Sequence, residues 1–96
     1  MTAPRPDTSE HFRITGDVGA PGFVAWITRH ARKLGLRGGV LAQDAGHLDL
    51  IASGPPDLLD ALSLGCSLGP QEVWVDKIER TPAIALTVND FSSDAA

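Results

Sequence analysis

The chain is poor in cysteine, in aromatic residues and in positive charge, and each shortage closes a route. Its single cysteine, Cys66, cannot form an internal disulfide and has no Cys or His companion at zinc spacing. The fold must therefore rest on an apolar core. Aromatic residues make up 5% of the chain and tyrosine is absent, so a sheet face that stacks RNA bases is excluded. Lys and Arg number 8 against 12 Asp and Glu, a net charge of −4. A general nucleic-acid binder needs the opposite balance to neutralise phosphates. No apolar run approaches the ~18 residues of a membrane span. Residues 1–10 contain no apolar stretch of the kind a secretory signal uses. A soluble cytoplasmic domain without nucleic-acid or membrane partners is the expectation.

What is present suits one small globular domain: 96 residues, 43% of them hydrophobic, with 10 glycines. Residues 1–10 and 92–96 read as a disordered leader and tail, leaving 11–91 as the folded part. His11–Thr15 alternates Phe12 and Ile14 against Arg13 and Thr15, which predicts a strand buried on one face. A loop with three glycines and Pro21 follows, from Gly16 to Gly22. Phe23, Ile27, Ala31 and Leu34 then trace the apolar stripe of a helix that stops at Gly35. Leu36–Gln43 and His47–Ser53 read as a hairpin around Asp44-Ala45-Gly46. Gly54-Pro55-Pro56-Asp57 starts a second helix with Leu58, Ala61, Leu62 and Gly65 on one face. Glu72–Arg80 predicts a fourth strand and Ala83–Asn89 a short fifth. The order predicts an α+β, ferredoxin-like βαββαβ sandwich: an antiparallel sheet with both helices on one face.

A glycine-rich turn between a strand and a helix start is a place where backbone N–H groups and the helix dipole can hold an anion. Gly16-Asp17-Val18-Gly19-Ala20-Pro21-Gly22-Phe23-Val24 resembles the acylphosphatase phosphate loop, written G-R-V-Q-G-V-G-F-R. Further along, Ala31-Arg32-Lys33-Leu34-Gly35-Leu36-Arg37-Gly38-Gly39-Val40 resembles that family's A-x-x-L-G-L-x-G-W-V. Gly46-His47-Leu48-Asp49 resembles its G-x-V-E, and Gly54 and Gly69-Pro70-Gln71-Glu72-Val73-Trp74-Val75 its closing G and G-P-x-x-A-x-V. The resemblance covers residues 11–79 and implies the same sandwich.

It also implies hydrolysis of carboxyl-phosphate bonds without metal or cofactor. In the family, loop amides and the arginine ending the motif hold the phosphate, and an asparagine on the second strand orients the attacking water. Here the arginine position is Val24 and the asparagine position is Ala42. The loop departs as well: Gly19, Ala20 and Pro21 stand where the family has glutamine, glycine and valine. Ala20 is expected to be strained if that position needs a positive φ, and Pro21 has no N–H to donate. What the resemblance leaves is a residual anion-binding loop of Val18, Gly19, Ala20, Gly22 and Phe23, with no catalytic residue at the family positions. The expectation is a catalytically inactive acylphosphatase-like domain that binds a small anion, ligand or protein partner. The alternatives are a divergent active acylphosphatase and a structural or oligomerising module, monomeric or weakly dimeric.

Other residues add little to that reading. Arg13, on the strand face opposite Phe12, is a remote candidate to replace the arginine, and Thr28 lies one turn from Val24. His11, His30 and His47 lack paired ligand spacing, so no metal site is expected. Cys66 reads as a buried thiol, and Ser53, Ser63 and Ser67 lack a nucleophile-elbow context. Half of the Lys and Arg residues fall within Arg29–Arg37, which reads as a solvated helix end or a face for an acidic partner. Trp26 is expected in the core, and Trp74 on the open sheet face, where it could anchor a partner.

Overall fold

The computed structural model describes residues 7–69, 73–85 and 90–92. In chain order the elements are β1 (Thr8–Gly16), α1 (Pro21–Lys33), β2 (Arg37–Gln43), β3 (His47–Gly54), α2 (Pro56–Leu68), β4 (Val75–Pro82) and β5 (Phe91–Ser92). The sheet order is β4-β1-β3-β2-β5. This is the ferredoxin-like α+β arrangement that the order of elements predicts.

The core follows from strand alternation. Phe12 and Ile14 of β1 and Leu48, Leu50 and Ala52 of β3 turn to one side and are fully buried. There they meet Phe23, Ile27 and Ala31 of α1 and Leu59, Leu62 and Cys66 of α2 in a single cluster. The α2 stripe is thus displaced from the expected one: Leu59 and Cys66 are buried rather than Ala61 and Gly65. Gly65 has another task. A Cβ placed there would lie 2.2 Å from His30 Nε2, so the glycine makes room for the His30 ring, which stacks on Trp26 at 5.3 Å. Trp26 itself is half-buried against the core, and Trp74, 69% exposed, precedes β4 rather than lying within it.

Several boundaries differ from the pattern reading. β1 begins at Thr8, because Thr8, Ser9 and Glu10 pair with Gly54, Ser53 and Ala52. These polar residues of the expected leader carry no apolar alternation, so only the partner strand reveals them. α1 opens at Pro21, not Phe23. A proline fits the first helical position because the N–H it lacks would have no helical partner. The expected antiparallel sheet is mixed: β5 pairs in parallel with β2, Phe91 opposite Gly38 and Ser92 opposite Gly39. This fifth strand lies beyond the expected Ala83–Asn89, whose residues 86–89 fall outside the described residues along with 70–72, 1–6 and 93–96. Ala83–Ala85 form no strand, and Phe91 supplies a fully buried core ring. Among the described residues, no helix is long and apolar enough to cross a membrane.

Candidate active site

The loop between β1 and α1 closes on the hairpin between β2 and β3. Gly16 donates its N–H to Gly46 O at 3.1 Å, and Asp17 donates its N–H to Trp74 O at 2.8 Å. A Cβ on Gly19 would lie 2.8 Å from Ala45 Cα, so only glycine allows the loop to sit this close to the hairpin. Between the two segments lies a cavity of about 630 Å³ lined by Asp17, Gly19, Ala20, Gln43, Asp44 and Ala45.

Of the loop residues singled out in the sequence, Val18, Gly19 and Ala20 lie between β1 and α1, and Gly22 and Phe23 lie in the first turn of α1. Val18 is fully buried. Among the described residues, the N–H groups of Val18, Gly19 and Ala20 donate to no protein acceptor. Phe23 is different: its N–H donates to Ala20 O at 3.1 Å, which closes the first turn of α1 and removes it from the donor set. Ala20 is unstrained, with φ at −59°, and no non-glycine residue has a positive φ among the described residues. The extended backbone ahead of α1 accepts alanine as readily as glycine.

The charges lining the cavity are the reverse of what a phosphate requires. Asp17 and Asp44 contribute two carboxylates, and among the described residues no Lys or Arg lines it. Asp44 is tied to its own turn: its Oδ1 accepts the N–H of Gly46 at 2.9 Å and that of His47 at 2.7 Å. These donors hold its carboxyl below the ordinary aspartate range. Val24 lies half-buried on α1 against the core. Thr28 does not replace an arginine there, because its hydroxyl donates to Val24 O at 2.8 Å and the residue is only 8% exposed. Arg13 is on the opposite sheet face, opposed by Asp49 and Glu79 across the neighbouring strands and 3.8 Å from the Asp49 carboxylate. Arg32 is engaged by Asp90 at 3.3 Å and Phe91 O at 2.8 Å.

Sequence reasoning missed one residue. Gln43 lines the cavity and donates Nε2–H to Val18 O at 2.9 Å. Ala42, the position the motif assigns to the asparagine, opposes Asp49 and faces away. The chain has only three carboxamides, Gln43, Gln71 and Asn89. Of these, Gln43 alone adjoins the hairpin turn, and that was the available signal.

His11 pairs with Asp49 at 2.9 Å and His47 with Asp44 at 3.5 Å. Among the described residues, no three His, Cys, Asp or Glu side chains gather to hold a metal. Burial pushes the Cys66 thiol up to about 12, which keeps it protonated and unreactive at neutral pH.

Residues 10–93 match the acylphosphatase family model. The chain belongs to the acylphosphatase family. An acylphosphatase of Rhizorhabdus wittichii is 33% identical over 85 residues, covering 85% of this chain and 86% of that one. A crystal structure of an acylphosphatase from Bacillus subtilis superposes with a TM-score of 0.78 at 26% identity, covering 88% of this chain and 96% of the other. An acylphosphatase structure from Coxiella burnetii gives 0.83 at 24% identity, with 91% and 92% covered, a likeness of fold.

Proposed function

We propose that this chain hydrolyses the carboxyl-phosphate bond of acyl phosphates, with low catalytic efficiency. The observation that carries the reading is the cavity itself. The loop that resembles the family's phosphate loop and the end of the strand that resembles its water-orienting strand face one opening, with a carboxamide in it. Family membership and relatives named acylphosphatase support turnover over the inactive domain that Val24 and Ala42 suggest in the sequence.

The chemistry needs no external cofactor. Water adds to phosphorus, the bond from phosphorus to the acyl oxygen breaks, and the carboxylate leaves with the electron pair. Both water protons end on the phosphate, giving dihydrogen phosphate. Loop amides can stabilise the equatorial oxygens where charge develops. What is weak is the grip. A multiply charged phosphate is best held by a forked guanidinium, and Val24 offers none. Losing one preorganised donor costs on the order of 10²–10³ in rate, so a low kcat/KM with a high KM is expected.

Val24 favours a second reading, a domain that binds without turnover. Hydrolysis of acetyl phosphate by the purified protein separates the two. Protein-dependent release of inorganic phosphate, saturating at high substrate, supports the enzyme. A rate equal to the uncatalysed one, with binding still seen in phosphate titration, establishes the second reading.

A further inference from the structure

We propose that Gln43, and not the residue at the family's asparagine position, positions the attacking water in this chain. The inference rests on the hydrolytic reading above and is carried by the register of β2 on β3. Directly opposed residues of an antiparallel pair place their side chains on the same face. Val40 opposes Leu50, which is fully buried beneath the helices. A continuous register would set Ala42 opposite Leu48 and turn it to that same face. The register instead shifts between Val40 and Ala42. The extra residue is Leu41, and such a bulge re-aims every side chain beyond it. Ala42 now opposes Asp49, whose carboxylate pairs with His11 and Arg13 on the open face, and Gln43 opposes Leu48.

The hydrogen bond is an independent observation. A carboxamide carries two N–H donors and one acceptor oxygen. One N–H of Gln43 is given to Val18 O, which fixes the side chain to the loop at 2.9 Å. Its second N–H and its Oε1 have no protein partner among the described residues. Gln43 shares the cavity with Gly19 and Ala20, whose amides are candidate phosphate donors. Oε1 can therefore accept a hydrogen bond from a water and leave an oxygen lone pair directed at phosphorus. Orientation of this kind is a large share of the barrier in a displacement by water. Glutamine is one methylene longer than asparagine and stands one residue later, nearer the turn.

The test uses acetyl phosphate with the wild-type chain and with Val24→Arg, which supplies the grip. In each, Gln43→Leu, Ala42→Asn and the double variant Ala42→Asn/Gln43→Leu are compared. The result expected is a fall in kcat of about 10²-fold for Gln43→Leu, with the competitive inhibition constant of inorganic phosphate little changed. Ala42→Asn restores nothing, because that side chain faces the other side of the sheet. Unchanged kcat in Gln43→Leu overturns the proposal, as does recovery through Ala42→Asn. A loss of phosphate inhibition in proportion to kcat also overturns it, since Gln43 would then hold the loop and not the water. Turnover by neither wild type nor Val24→Arg overturns the hydrolytic reading, and the role of Gln43 with it. Turnover that ignores Gln43 overturns this inference alone.

Discussion

The two ends of β1 treat charge in opposite ways. Near its start, Arg80 of β4 reaches Glu10 at 2.7 Å and Asp60 of α2 at 3.0 Å, with its guanidinium 5.1 Å above the Phe12 ring. One cation there ties two strands and a helix. At the far end, about 20 Å along an extended strand, Asp17 and Asp44 line a cavity with no Lys or Arg among the described residues. The forked cation that a phosphate site would use is spent where it holds the fold together. The candidate site has an open cavity beside the loop, with two carboxylates and no cation among the described residues. Its limit is therefore electrostatic more than steric, and substitutions at the two ends should act on different observables.

The largest effect is expected from Val24→Arg. Supplying a guanidinium beside the loop should raise kcat/KM for acetyl phosphate by about 10²–10³. Stability should move little, because an arginine stem can cover the apolar surface that Val24 covers. A variant that folds normally and gains nothing would show that the loop's shape is at fault, and the contrast between the two ends would fail.

Arg80→Met probes the other end. It keeps a chain over Phe12 but leaves Glu10 and Asp60 without their partner. A loss of about 1–2 kcal/mol is expected for these half-exposed charged hydrogen bonds, or roughly 5–10 °C in Tm. The rate per folded molecule should not change. If it falls, the two ends are coupled through β1 and are not independent. A smaller effect belongs to Asp17→Asn, which removes one like charge from the cavity. KM for acetyl phosphate should fall about two- to fivefold at low salt and converge with wild type at high salt. A salt-independent difference would mean that Asp17 acts by shape.

The structural end was more legible in the sequence than the site. Phe12 and Ile14 alternate, Phe23, Ile27 and Ala31 repeat at helical spacing, and Asp44-Ala45-Gly46 marks a turn, so local patterns alone yield the sandwich. The loop was legible too, through its glycines. The residue in the cavity was not, because it depends on a bulge at Leu41 that the register with β3 fixes. A one-residue shift exchanges the faces of Ala42 and Gln43, and nothing within Leu36–Gln43 announces it. Phe91 escaped for a similar reason. Its short strand is defined by parallel pairing with Gly38 and Gly39, far away in sequence, and by the Arg32 side chain that donates to its carbonyl at 2.8 Å.

The smallest effect concerns how negative charge is held at the site end. Glu10 and Asp60 have a guanidinium, whereas Asp44 has the N–H groups of Gly46 and His47. Those donors lower its folded pKa below the unfolded value. The sign follows from linkage: the group contributes stability above the unfolded aspartate pKa of about 3.9, and that contribution disappears as pH falls through the lower folded value. Asp44→Asn keeps an acceptor oxygen for the same turn but cannot titrate. Wild type should therefore be the more stable of the two near neutral pH, and the gap in Tm should close as pH drops below about 4. High salt should leave this gap nearly unchanged while shrinking that of Arg80→Met, because the Arg80 pairs join full opposite charges, which salt screens, whereas Asp44 accepts from neutral backbone N–H groups. A gap that stays constant with pH would show that the turn is held by its geometry alone. The two ends of β1 would then differ only in where the arginine lies.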